Sequence, residues 1–512
     1  MNPMTRGHHI HRRAGVCTPL FAAPLVAALL AACTVGPDFV RPTPQTPAHW
    51  SGRATASSVE PPRRSAITEQ SLDLRAWWSG FDDPMLDSLI DRAMISNLDL
   101  RAAVLRIDEA RAQRAIFSAA YAPTLSVDTS VERQRFSVTT ATGALFNAVG
   151  SAHVPGGANT SVPNPYNQFQ LSAGASWEID LFGRVRRSVE AAEANVQVSV
   201  EDHRAVMVAV LADVSQSYME LRGAQARLAI ARENLVTIDE LLELTRQRRA
   251  AGLTTEIDLS NAAALSLATH AEVPAFEFGI TQSINQLSQL LALAPEALRD
   301  ELNSPAPVPA APTTVSIGFP AELARRRPDI REAEANLHAA TAQIGVAVAN
   351  LFPRLTLGTA AGFQSASAGN LLEWASRFAS VGPSLDLPVF DRGRWKTVRL
   401  YDVRAEEAAL AYQRTVLKAL HEVENALAAY GADQQRRAWL EATIARNLDA
   451  LTLSRQRYES GLASFIEVLD AERTRQQNQL ALADSTSAVS VDLVRAYRAL
   501  GGGWPQSSAP AP

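Results

Sequence analysis

The chain has 512 residues and a formal net charge of −5, with 47% hydrophobic and 6% aromatic residues. The length is ample for a sizeable core, and with so mild an acidity nothing points to a polyanionic partner such as nucleic acid. Ala, Leu, Arg, Glu and Gln dominate long stretches, a mixture that favours helix.

Residues 1–32 read as a lipoprotein signal peptide. Arg6, Arg12 and Arg13 precede an apolar run from Ala14 to Ala32, and the run ends in LAAC at Leu30–Cys33. Small residues directly before a Cys form the bacterial lipoprotein processing pattern, and such a segment is set aside from the fold. Pro19 and Pro24 disfavour a permanent membrane helix. Arg12-Arg13 lacks the pattern that follows a twin-arginine signal, and His8, His9 and His11 leave with the peptide. Cys17 leaves as well, so Cys33 becomes the sole thiol and no internal disulfide can form. Cys33 is the predicted lipidated N-terminus, and this covalent lipid is the only prosthetic group expected. Thr34 follows it instead of an Asp, which directs a lipoprotein to the outer membrane. No other stretch approaches ~18 uninterrupted apolar residues, so strands must make any membrane crossing.

Residues 33–75, rich in Pro, Ser and Thr, read as an extended lipidated tether. Order is expected from AWWSGFDDPMLDSLI, with Asp83-Pro84 starting a helix. An internal repeat then organises the chain into a first copy (76–310), a second copy (311–504) and a tail (505–512). NLDLRAAVLRIDEARAQRAIFSAAYAPTL (97–125) aligns without gaps on RPDIREAEANLHAATAQIGVAVANLFPRL (327–355), pairing Asp99 with Asp329, Gln113 with Gln343 and Pro123 with Pro353. The first copy is longer because of a Gly-, Pro- and Asn-rich loop, AVGSAHVPGGANTSVPNP (148–165). Two copies are too few for a solenoid, so duplication within one subunit fits better.

Between these anchors the period changes to two. FQLSAGASWEI places Phe169, Leu171, Ala173, Ala175, Trp177 and Ile179 on one face and polar or small residues on the other. Such a run matches the length of a tilted transmembrane strand. Two strands are predicted within 124–180 and two more within 353–388, where LTLGTAAGF is clear and SVGPSLDL is weaker.

A long helical hairpin follows each strand pair, at 183–293 and at 394–500. Val200, Met207, Val214, Leu221, Leu228, Leu235 and Leu242 recur every seven residues, with Val210, Ser217, Ala224, Ala231 and Ile238 in the companion register. A heptad held that long is a coiled-coil seam. Ala409, Val416, Val423, Tyr430, Ile444 and Leu451 continue it in the second copy, interrupted by Arg437. Gly252-Leu253 and Gly461-Leu462 break the helices before they return. Four strands per chain cannot close a barrel, and an open edge in lipid leaves backbone groups unsatisfied, so subunits must pool strands. Two, three or four chains would meet that need.

The lipobox with CTVGPDFVRP, WWSGFDDPMLDSLI, RRPDIREAEANL (326–337), LFPRLTL, LPVFDRGR (387–394) and YRALGGGW (497–504) occur together and in order. On these motifs the chain resembles the lipidated branch of the TolC-like outer-membrane factors, the NodT-type lipoproteins of tripartite efflux systems, over nearly its whole length. The resemblance implies a mixed α and β membrane protein. Its homotrimer would form a twelve-stranded outer-membrane β-barrel continuing into a twelve-helix periplasmic coiled-coil α-barrel, with an equatorial domain. It further implies a passive, gated exit duct for small molecules such as drugs, toxic compounds or metal ions. The duct would be served by a periplasmic adaptor protein and an inner-membrane pump of RND type, and it would have no catalytic site. No P-loop, metal-ligand spacing or nucleophile elbow occurs in the sequence.

The same resemblance assigns roles at the hairpin turns. Glu467 and Asp470 would form acidic rings at the periplasmic aperture, since acids three apart share a helix face. Asp258 and Tyr458 would form a latch between coiled coils, while Ala463 stands where relatives carry an Arg that makes a second link. Gly252, Leu253, Gly461 and Leu462 would present the adaptor-contact turns. The competing readings are a type I protein-secretion duct with the same fold, a lipidated periplasmic adaptor, and an outer-membrane enzyme. The adaptor would need paired Gly-rich lipoyl-type segments around one hairpin, where this chain has two hairpins. The enzyme would need a convergent site, which the sequence lacks.

Overall fold

The computed structural model describes residues 34–44, 46–50, 65–69, 74–141, 143–144 and 164–504. Cys33, the signal segment, much of the tether, the centre of the inserted loop and the tail lie outside the described residues. The chain divides into two compact units. One comprises Gln113–Ala192 and Ala339–Ala405 with the segment up to Phe39; the other comprises Val40–Ala112, Glu193–His338 and Glu406–Pro512. Each sequence repeat contributes to both units, so the duplication boundary is not the spatial one.

The first unit carries one antiparallel sheet. Its strands are β2 (Thr124–Gln134), β3 (Tyr166–Ile179), β5 (Arg354–Ser365) and β6 (Arg377–Asp386), in the order β2-β3-β5-β6. Here β1 (Ala66–Thr68) and β4 (Thr314–Ser316) are a separate parallel pair in the second unit. The two copies meet at the centre of the sheet, where Phe169 pairs with Ser365 and Ile179 with Leu355. That leaves β2 and β6 as edges, each with one row of backbone groups unpaired within the subunit.

The second unit is mainly helical. After α1 (Pro84–Ser96) and α2 (Leu98–Ser118) come α3 (Arg184–Ala250) and α4 (Glu256–Leu290), the first long hairpin. The second copy supplies α5 (Pro320–Arg326), α6 (Pro328–Ala349), α7 (Arg392–Glu459) and α8 (Phe465–Ala499). At 67 residues α3 rises about 100 Å, a length that tertiary packing must support. Of its two seams the companion register is the deeper: Val210, Ser217, Ala224, Ala231 and Ile238 are all buried. Leu211, Val214, Met219, Leu221, Leu287, Val423, Leu493 and Val494 have no exposed surface, and each such side chain contributes about 1.5–3 kcal/mol.

Three of the motifs that carried the resemblance, WWSGFDDPMLDSLI, RRPDIREAEANL and YRALGGGW, meet in this unit. Asp83 caps α1 by accepting hydrogen bonds from Met85 N and Leu86 N, and it also receives the Tyr218 hydroxyl at 2.9 Å. Trp77 stacks on Tyr497 at 5.1 Å, and Gly503 N donates to Leu74 O at 2.8 Å. Gly503 has φ +110°, and a Cβ there would lie 2.6 Å from Leu211 Cδ1, so glycine is required. Arg327 donates to Ala499 O, Asp329 and Glu422, while Arg204 and Arg331 flank the Trp504 ring at 4.5 and 5.3 Å. The C-terminal segment up to Trp504 is thereby fixed to α3 and α6.

Candidate functional site

Residues directly paired across a sheet share a face, so the register shows how each face is composed. Ala173 is paired with Val127 and Ala361, Ala175 with Leu125 and Thr359, and Ile179 with Leu355, which faces Leu385 in turn. Thr359 faces Val381 and Ala361 faces Ala379. This band is mainly apolar, yet Leu125, Val127 and Val131 are 70–78% exposed, Val381 76% and Leu385 64%. The opposite face carries Ser126, Asp128, Ser130 and Glu132 paired with Gly174, Ser172, Gln170 and Gln168. A sheet in water buries its apolar face; this one buries neither. No described helix is long and apolar enough to cross a membrane.

Next to the sheet lies the seat of the N-terminal segment. Val35 N donates to Phe182 O at 3.3 Å, and the buried Arg187 reaches Val35 O, Gly36 O, Asp38 and Glu190. Gly36 has φ +94°, and a Cβ there would lie 2.5 Å from Gly345 Cα, so two backbones cross at contact distance. Thr34 packs against Gly183 in the same way. The chain is thus held from the first described residue; Cys33 itself lies outside the described residues.

The two hairpin ends have one architecture. Gly252 (φ +77°) and Gly461 (φ +71°) end α3 and α7 in left-handed backbone. In each turn the following Leu donates to a carbonyl five residues back, Leu253 N to Arg248 O and Leu462 N to Arg457 O, both at 2.8 Å. This is the helix-ending motif for which glycine is favoured. It leaves Leu253 and Leu462 at 70% and 72% exposure, with Ile257 and Ile466 beside them also exposed.

The returning helices both open on a capping box. In α4, Asp258 Oδ2 receives the Thr254 hydroxyl, the Thr255 hydroxyl and Thr255 N at 2.7, 2.7 and 3.0 Å. Burial alone would raise the Asp258 pKa, but the Thr255 and Thr254 hydroxyls and the Thr255 N–H outweigh it and hold the carboxyl below its usual value. Tyr458 packs with Phe465 at 5.3 Å under the Arg248 guanidinium, in a small core with Leu242, Ala262, Leu469 and Leu259. Asp258 and Tyr458 are brought to the same end of the molecule but make no hydrogen bond to each other within the described subunit.

In α8 the cap is looser. Ser464 N donates to Glu467 Oε1 at 3.3 Å, and Arg457 lies 3.8 Å from Oε2. Asp470 pairs with Arg473 at 3.1 Å, and its side chain is 61% exposed. Exposed pairs of this kind contribute roughly 0–1 kcal/mol, so both carboxylates remain available to solvent and to passing ions.

Three buried carboxylates, Glu201, Glu472 and Asp492, were missed from sequence. Glu472 has no exposed surface; its Oε1 receives Arg475 and Gln476, and Arg455 stands 3.5 Å from its Oε2. Spacing could have found it, since Phe465, Val468, Leu469 and Glu472 share one helical stripe. Asp492 is hydrogen-bonded to Asp433, and burial together with that neighbour pushes its pKa up to about 6 against the pull of Arg495.

Comparison with known proteins accords with this geometry. The sequence model of the outer membrane efflux protein family matches residues 89–293 and 319–502. The chain is 35% identical over 484 residues to outer membrane protein OprJ of Pseudomonas aeruginosa, covering 94% of this chain and 95% of that protein. It is 32% identical over 488 residues to nodulation protein T of Rhizobium leguminosarum bv. viciae, covering 94% and 93%. The solved structure of the outer-membrane channel OprN superposes with a TM-score of 0.78 at 34% identity, covering 92% of this chain and 100% of that one. The CusC channel gives 0.75 at 26%, again covering 92% and 100%. Fold and faces together define an outer-membrane channel of TolC-like type, a conduit without catalytic chemistry. The chain belongs to the outer membrane efflux protein family, and its place is the bacterial outer membrane as the channel component of an efflux pump.

Proposed function

We propose that three copies of this chain pool their sheets into a twelve-stranded barrel and their hairpins into a twelve-helix periplasmic tunnel. The observation that carries the reading is the four-stranded sheet with an exposed apolar face and two unpaired edges. Edge β6 of one copy joins edge β2 of the next, which satisfies both rows of backbone groups and turns the apolar face to lipid. Cys33, once lipidated, anchors the chain beside that barrel.

The hairpin ends then gather on the threefold axis. Glu467 and Asp470 become stacked acidic rings that favour cations and slow anions. Asp258 uses only Oδ2 in its cap, leaving Oδ1 open to accept the Tyr458 hydroxyl as a latch in the closed state. The exposed Leu253 and Leu462 beside Gly252 and Gly461 offer the apolar knobs that a periplasmic adaptor would grip, with an inner-membrane pump of RND type beyond it. Related channels are named for toluene and antibiotic efflux pumps of Pseudomonas putida, which supports small apolar or drug-like cargo.

Reconstitution in planar bilayers tests the gate. Glu467→Ala with Asp470→Ala is expected to raise single-channel conductance and weaken block by multivalent cations. Unchanged conductance together with unchanged block would remove both acids from the aperture. Heat-modifiable migration of a trimer on gels tests the barrel, and extraction into buffer without detergent would overturn it.

A further inference from the structure

Just beyond the proposed gate, the apolar stripe of α8 turns ionic and then apolar again. Phe465, Val468 and Leu469 are buried, as are Glu472, Arg475 and Gln476 on the same stripe, and Ala483 is buried after them. The ionic stretch is a connected network. The Arg475 guanidinium donates to Glu472 Oε1 from both Nε and Nη2, to Gln479 Oε1 from Nη1 at 2.8 Å, and to Asn234 Oδ1 at 3.1 Å. Asn234 is itself buried on α3, and Arg455, on α7, faces the other oxygen of Glu472 at 3.5 Å. The Glu472–Arg475 pair thereby links three helices of both hairpins: Arg475 bonds Asn234 on α3, and Glu472 faces Arg455 on α7.

We propose that Glu472 is the positioning residue of the aperture: by holding the Arg475 that bonds α3 and by facing Arg455 of α7, it sets a fulcrum that confines gate motion to the turn on its tip side. The inference rests on reading Glu467 and Asp470 as the gate. Three observations support it. The network lies within one helical turn of Asp470, so any tilt of the gate segment must pivot on it or break it. Glu472 and Arg475 are desolvated, and parting them strands each charge without water, which makes this pair costly to break. The core on its tip side is small, formed by Leu242, Ala262, Phe465 and Leu469 with partly buried neighbours, and can repack at far lower cost. A polar cluster in a coiled-coil seam also fixes register, so α8 cannot slide along its neighbours as the end opens.

The test uses the full-length lipidated trimer in planar bilayers with Glu472→Gln, which keeps shape and removes charge. Open probability is expected to rise on the order of tenfold, with block by multivalent cations unchanged because Glu472 does not face the lumen. Arg455→Gln, a half-exposed partner that folding does not require, is expected to shift opening in the same direction by less. The double variant should match Glu472→Gln alone, because both act through one contact. Normal gating in both single variants, or strictly additive effects, would overturn the fulcrum. A loss of heat-modifiable trimer without any change in the gating of surviving channels would reduce Glu472 to a folding role and likewise overturn it. Loss of block in Asp470→Ala with Glu472→Gln silent would sink the fulcrum alone. The reverse pattern would sink only the acidic gate.

Discussion

The two hairpins are copies of one design, and comparing them position by position shows where they have parted. Their turns are interchangeable, down to the 2.8 Å bond made by Leu253 and by Leu462. Gln225 and Gln434, partners in the duplication, are both buried and both bond a connecting segment, to Leu302 O and to Ser65 N. The difference lies in the seams. Where the second hairpin has Glu472 and Arg475, the first has Ala263 and Ser266; where the second has Asp433 and Asp492, the first has Ala224 and Ser283. At these two levels the first hairpin is uncharged where the second carries buried charge, although α3 buries Glu201 and Arg222 elsewhere.

Substitutions at matched positions can break or sharpen that contrast. The largest effect is expected at Arg475→Ala, which strands Glu472 and should lower the stability of the trimer by about 3–5 kcal/mol in thermal or denaturant unfolding. Its counterpart Ser266→Ala removes one hydrogen bond to Asp239 and should cost about 1 kcal/mol. Equal losses at the two sites would erase the distinction.

A second contrast is in pH dependence. Asp492 has a folded pKa raised to about 6 from an ordinary 3.8, so the native state holds its proton more tightly than the unfolded chain. The stability this contributes is fully present below about pH 4 and is lost as pH rises through 6. Asp492→Asn keeps the neutral form, so the slope between those values should flatten, and the variant should gain on the order of 1–2 kcal/mol at pH 7. Ser283→Asn, at the matching place, should leave the slope unchanged. Unfolding midpoints measured across that pH range decide the matter.

The smallest effects are expected at the caps. Asp258→Ala removes three hydrogen bonds and should cost about 1 kcal/mol, whereas Glu467→Ala removes one long bond and should cost roughly half as much. The Asp258 contribution is present above its ordinary pKa and fades as pH falls through its lowered folded value, so the difference between these variants should narrow in acid. Identical losses at neutral pH would make the caps as interchangeable as the turns.

How legible all this was depended on the kind of signal. Alternation in FQLSAGASWEI and the heptads of α3 are local and periodic, so sequence carries them directly, and the motifs carried the family. SVGPSLDL read weakly because Gly382 and Pro383 interrupt its pattern, yet it pairs in register along β5, with Pro383 opposite Leu357. Strand β3 runs from Tyr166, earlier than its alternation at Phe169 shows, because pairing to Gln134 extends it. Glu472 was overlooked because a charged residue on a helix ordinarily reads as solvated, and its partner Arg455 lies on another helix. Asp492 was overlooked for a like reason: its partner Asp433 lies on a different helix. The end to which Asp258 and Tyr458 belong was legible; the use of Asp258 Oδ2 by two threonines was not, because it depends on rotamers.

The crossing of Gly36 over Gly345 has a consequence in time. The backbone that receives the N-terminal segment belongs to the second copy, which emerges from the ribosome only after more than half the chain has been made. The first described residues therefore cannot take their seat as they appear, whatever the first copy has already built. The N-terminal segment is synthesised first and must wait for late sequence before it is placed, so its docking reports that both halves of the duplication have folded.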